Sequence, residues 1–209
     1  KVNDKIDTTY TGLASNEYGW WYILNGVLDF SYNGFGRNGD SWWYCRGGKV
    51  QFDDNGVIEG TVNGTYGWWK VVNSQVIFDN DVCANASGWW KITNGKVDFD
   101  YTGLAQNACG WWMIQNGHVN FGSNGLVDNG NGWWLVRNGG VDFNYNGLVD
   151  NGNGWWLIRN GYVDFNNNGL VDNGNGWWLV KNGCVDFSYQ GYVQNECGVW
   201  WVSNGQVQF

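Results

Sequence analysis

Proline is absent, histidine and methionine occur once each, and cations are few, with 11 Lys and Arg against 19 Asp and Glu. Each shortage excludes something. The single histidine, His118, offers no base for a nucleophile, and the carboxylates recur with a repeat instead of forming one distinct pair. A catalytic site needs broken symmetry, so no enzyme activity is expected. The net charge is −8 and the cations are scattered, which excludes nucleic acid as a partner, because phosphates demand a basic surface. No apolar run approaches the ~20 residues of a membrane helix, so no membrane partner is expected. No Cys-x-x-Cys pair supports a zinc site. Cys45, Cys83, Cys109, Cys184 and Cys197 occupy mostly different repeat slots, which is not a disulfide framework. Mainly free thiols are expected, as in a reducing or anaerobic habitat. No cofactor is implied.

What is abundant is glycine, with 34 residues, and tryptophan, with 18 in nine adjacent pairs. The pairs mark nine units that begin at Thr9, Ser31, Asp53, Asp79, Asp100, Gly122, Asn144, Asn166 and Ser188. A regular unit has 22 residues and reads x-Tyr-x-Gly-Leu-x-x-Asn-x-x-Gly-Trp-Trp-x-x-x-Asn-Gly-x-Val-Asp-Phe. A period this short specifies an array of like supersecondary units over residues 9–209. Residues 1–8 read as the remnant of a preceding repeat or a cap. The chain, which begins at Lys1, reads as a mature form or excised piece of a longer exported protein. The Asp53 unit carries about four extra residues around Glu59 to Val62, and the Asp79 unit is one residue short.

The local fold follows from the Asn-Gly dipeptide. In Trp133 to Phe143, two short β-prone runs flank Asn138-Gly139, and a type I′ turn needs positive φ at both central residues. The turn sets the register: Arg137 opposite Gly140, Val136 opposite Val141, Leu135 opposite Asp142, Trp134 opposite Phe143. Side chains alternate, so Trp134, Val136, Val141 and Phe143 share one face and Trp133, Leu135, Arg137 and Asp142 the other. The first face barely varies along the chain and reads as core. The second varies and reads as solvent-facing. The linker, such as Asn144 to Asn153, reads as a tight connector whose Leu148 plugs the core. One hairpin is unstable alone, and stacking shares a core. The expected fold is all-β, a β-solenoid of tandem two-stranded β-hairpin repeats with almost no helix.

On this register the first tryptophan of each pair points away from the core: Trp20, Trp42, Trp68, Trp89, Trp111, Trp133, Trp155 and Trp177. Repeated outward aromatics mark an interaction surface, where rings stack on sugar rings or a cationic head group. The alternative is that each ring packs against the next hairpin. Tyr10, Tyr32, Tyr101, Tyr145 and Tyr189 share the second slot of the unit and read as groove walls or as local turn residues. Asp142, Asn144, Asn146 and Asp150, and likewise Asp164, Asn166, Asn168 and Asp172, resemble the first half of a calcium loop. They lack its twelfth-position Glu, and Asn, Asp and Gly are also ordinary turn residues; no metal is expected.

The unit Tyr101-Thr102-Gly103-Leu104 … Gly110-Trp111-Trp112 … Asn116-Gly117-His118-Val119-Asn120-Phe121 resembles the cell-wall-binding repeats of Gram-positive bacteria. That superfamily includes choline-binding modules and glucan-binding repeats. The resemblance covers residues 9–209 and implies grooves between successive hairpins that hold a ligand on aromatic walls. The choline-type motif has a Trp after the linker glycine and a Trp-Tyr-Tyr run in the hairpin. Here the linker slot is mostly Leu and the hairpin has Trp-Trp, fewer rings than a quaternary-ammonium cage uses. The resulting expectation is a non-catalytic module of a secreted surface protein, binding cell-wall polysaccharide, teichoic acid or another glycan through many weak sites. The alternative is a structural stalk or self-associating filament subunit.

Overall fold

The computed structural model describes residues 7–209; most of the cap at residues 1–8 lies outside them. The described residues form 27 short strands and no helix. Contacts divide the chain into two compact units, residues 1–107 with 114–119, and residues 108–113 with 120–209.

In both units the repeats are the expected tandem antiparallel hairpins, and each carries a third strand besides. In the repeat from Asn144 the three are Gly147–Asp150, Trp155–Arg159 and Tyr162–Val163. The last two are the expected hairpin, with Arg159 opposite Tyr162 and Ile158 opposite Val163. Asn160 and Gly161 take φ of 49° and 76°, as the turn requires. The first strand corrects the linker assignment. Leu148 pairs with Leu157, Val149 with Trp156 and Asp150 with Trp155, so the supposed connector is an antiparallel strand. Only the adjacent Leu148 and Val149 of its four residues are apolar, and the Asn-Gly-Asn turn beside it reads as loop.

The register also stops earlier than expected. The Asp142 N–H still donates to the Leu135 carbonyl at 2.9 Å, but the Asp142 carboxylate then accepts from the Asn144 N–H and turns the chain. Phe143 therefore leaves the ladder. Trp134 pairs instead with Tyr162, the post-turn residue of the next repeat. The same cross-pairing joins Trp156 to Cys184 and Trp178 to Gln206, and in the first unit Trp21 to Lys49, Trp43 to Gln75 and Trp69 to Lys96. A central strand is thus shared between its own turn and its neighbour's, which is how stacking satisfies its edge.

This sharing overturns the two-face division. Leu135, Leu157 and Leu179, assigned to solvent, are buried, because each strand's second face packs on the next repeat. Leu135 sits with Ile158 and Val163, and Leu157 with Val180 and Val185. The phenylalanine slot, assigned to the core, is exposed in eight of nine repeats, from 41% at Phe143 to 87% at Phe209. In the first unit, Leu13, Cys45 and Val50 make an equivalent small core, as do Val57, Ile92 and Val97. The extra residues of the Asp53 unit lengthen its hairpin to Gly56–Val62 and Thr65–Val72.

Candidate aromatic binding surface

Burial of the strand's second face carries the first tryptophans with it. All eight are half-buried, and most meet rings of the next repeat. Trp20 touches Trp43 (5.1 Å between centroids) and Phe52, and Trp68 touches Trp90 (4.9 Å) and Phe99. In the second unit Trp133 touches Trp156 (5.0 Å) and Phe165, Trp155 touches Trp178 (4.9 Å) and Phe187, Trp177 touches Trp200, and Trp111 stacks on Trp134. The recurring feature is therefore a triad: the first Trp of one repeat, with the second Trp and the Phe of the next. Edge-to-face contacts of this kind contribute ~0.5–1.5 kcal/mol each beyond burial. The rings close on one another and leave their outer edges and the Phe exposed.

The tyrosines serve the turns. The hydroxyls of Tyr10, Tyr32, Tyr101, Tyr145 and Tyr189 each donate to the carbonyl three residues on, at 2.6 to 3.1 Å. Several ring faces are already covered: Tyr32 stacks on Tyr22, Arg137 lies 4.3 Å over Tyr145, and Lys181 lies 4.7 Å over Tyr189.

The calcium-like residues are also used locally. Asp142 and Asp164 accept from the N–H groups of Asn144 and Asn166, and Asp150 and Asp172 from those of Gly152 and Gly174. Asn146 and Asn168 accept from the turn N–H groups of Asn160 and Asn182 in the same repeat. Among the described residues, no three of His, Cys, Asp and Glu gather as a metal site. None of the five cysteines forms a disulfide. Burial pushes the Cys45 thiol up to about 12. The Asp186 carboxyl is held below its usual range by hydrogen bonds from Lys181 and Ser188.

Two features escaped the sequence. The phenylalanines present exposed faces at each step. The variable post-turn slot is also a lid, because cross-pairing lays it against the second Trp of the preceding repeat. Lys49 sits 5.0 Å over Trp21, His118 4.9 Å from Trp90, and Tyr162 5.0 Å from Trp134. At Gly140 the lid is missing: no atom lies within 4 Å of a Cβ built at Gly110, where Tyr162 covers the equivalent Gly132.

Residues 9–29, 31–51, 79–98, 100–120, 122–142, 144–164 and 166–186 match the choline-binding repeat, well over half of the chain. The chain belongs to the choline-binding repeat family. No curated protein sequence matches it. Among solved structures it is similar to CbpJ from Streptococcus pneumoniae TIGR4, with 16% identity over 95% of this chain and 81% of that one and a TM-score of 0.36. It is similar to choline binding protein F from Streptococcus pneumoniae, with 18% identity over 88% of this chain and 61% of that one and a TM-score of 0.37. A further similarity is to an alternansucrase in complex with isomaltononaose, with 16% identity over 95% of this chain, 15% of that one, and a TM-score of 0.34.

Proposed function

We propose that the chain is a non-catalytic module that holds an exported bacterial surface protein to cell-wall polysaccharide, teichoic acid or another glycan. The observation that carries this reading is the Trp–Trp–Phe triad, repeated along each unit with its phenylalanine exposed. Closed triads leave no gap for an ammonium group between rings. The exposed phenylalanine rings suit the apolar face of a sugar, and repetition converts weak contacts into avidity. The test is retention of the chain on bacterial cell walls with and without teichoic acid, and on starch, followed by elution with free choline. Retention on walls supports the module, and choline elution assigns the head group. No retention on any matrix would overturn it.

A second reading, a structural stalk or filament subunit, is favoured by the burial of the first tryptophans between repeats. Under it the rings serve stability and no matrix retains the chain.

A further inference from the structure

At six junctions the first tryptophan of one repeat meets the second of the next at 4.9 to 6.1 Å. At the junction with the Asp53 unit they part. Trp69 keeps its phenylalanine, Phe78, at 6.1 Å, but no ring contact joins it to Trp42. The lengthened hairpin is the cause. Its added pairs, Thr61 with Tyr66 and Val62 with Thr65, carry Val62 into full burial beside Trp69 and Phe35. Val62 takes ground that a ring holds elsewhere. A cleft of about 420 Å³ opens, walled by the half-buried Trp42 and the exposed Phe78 above a buried Trp69, with Arg37, Asp40 and Lys96 on its rim. That volume lies within the ~300–1,000 Å³ of small-molecule sites. Residues 53–78, which build the opening, fall between stretches that match the family repeat.

We propose that this cleft binds a short neutral oligosaccharide, a single site distinct from the repeated triads. Aromatic walls stack on the apolar face of a sugar. The rim offers donors in Arg37 and Lys96 and an acceptor in Asp40, and a sugar hydroxyl both donates and accepts. Two rim cations oppose a quaternary ammonium. Asp40, paired with Arg37 at 3.3 Å, opposes a polyanion. The proposal shares only its ligand class with the module reading.

The test is calorimetric titration of the full chain with maltotriose, cellotriose and tri-N-acetylchitotriose, with choline chloride and trigalacturonate as contrasts. Saturable one-to-one binding of at least one neutral trisaccharide is expected. Trp42→Ala should weaken it more than tenfold and Lys96→Gln severalfold, while the exposed Tyr18→Ser, outside the cleft, changes it less than twofold. Lys96→Gln removes the charge but leaves at the slot paired with Trp69 a residue that other repeats carry there, Gln75 and Gln206, and so decides the matter if Trp42→Ala does not fold. The proposal is overturned if no neutral trisaccharide binds, if binding survives both cleft substitutions, or if choline or trigalacturonate binds there in preference. Cell-wall retention of the same samples separates the readings. Retention without trisaccharide binding removes the cleft alone, and loss of both removes both.

Discussion

Replacing Gly161 by Ala should be far more damaging than replacing Gly152 by Ala, although both are turn glycines at positive φ, 76° and 85°. An L side chain in that region costs ~1–2 kcal/mol at either site. The difference lies in what surrounds them. Nothing lies within 4 Å of a Cβ at Gly152. A Cβ at Gly161 would fall 2.4 Å from the Asp142 carbonyl oxygen and 2.9 Å from the Phe143 Cα, both rigid backbone of the preceding repeat. That contact is where repeats join, because the Gly161 carbonyl accepts from the Leu135 N–H and its N–H donates to Tyr145. The protein shows how a side chain is accommodated there. Ser74 occupies the same slot, keeps both hydrogen bonds, and follows a repeat whose Phe52, alone among the phenylalanines of that slot, has positive φ, 62°. Forcing Phe143 into that state costs a further ~1–3 kcal/mol. The total for Gly161→Ala is therefore ~2–5 kcal/mol, against ~1–2 kcal/mol for Gly152→Ala. Urea denaturation of the two variants measures the gap. Equal losses, or a larger loss at Gly152, would refute the close seating of the turn.

Four further outcomes are expected. Gly140→Tyr should restore the missing lid, as Tyr162 covers Trp134, and raise stability by ~0.5–1.5 kcal/mol in the same assay; a loss would show that Trp112 does not accept a lid. The triple change of Phe143, Phe165 and Phe187 to Ser should remove most cell-wall retention, and unchanged retention would move the binding surface elsewhere. Cys45 loses its proton in the unfolded chain near pH 9, but holds it in the fold to about pH 12. Its stability contribution is therefore full below about pH 9 and falls as pH rises toward about 12. Cys45→Val, which copies the valine of other repeats, should lessen that alkaline loss, and an identical pH profile in the variant would count against it. Exposed Cys109 and Cys197 should react quickly with a thiol reagent while buried Cys45 stays protected until unfolding; fast labelling of all five would contradict the packing.

The sequence made legible what depends on a single hairpin. The Asn-Gly turns, their φ values and the register at Arg137 and Gly140 all follow from local chemistry. What escaped depends on neighbours. Alternation assigns Leu135 and Phe143 to faces of an isolated ribbon, but a stacked ribbon buries both faces, and Asp142 turns Phe143 out. The linker strand was hidden because it is short, as in the four residues Gly147–Asp150, and lies among glycine and asparagine. The first tryptophans were found as a set, but their partners in the next repeat were not. Nor could the pattern show that four extra residues would separate Trp42 from Trp69, since that follows from where Val62 lands.

The most direct test of the aromatic surface is the indole N–H spectrum of the ¹⁵N-tryptophan-labelled chain, titrated with soluble cell-wall fragments. The 18 indoles report every triad at once. The account predicts concerted, saturable shifts of indole signals from several repeats. A spectrum in which no indole moves, while the fragments bind or fail to bind, would contradict it.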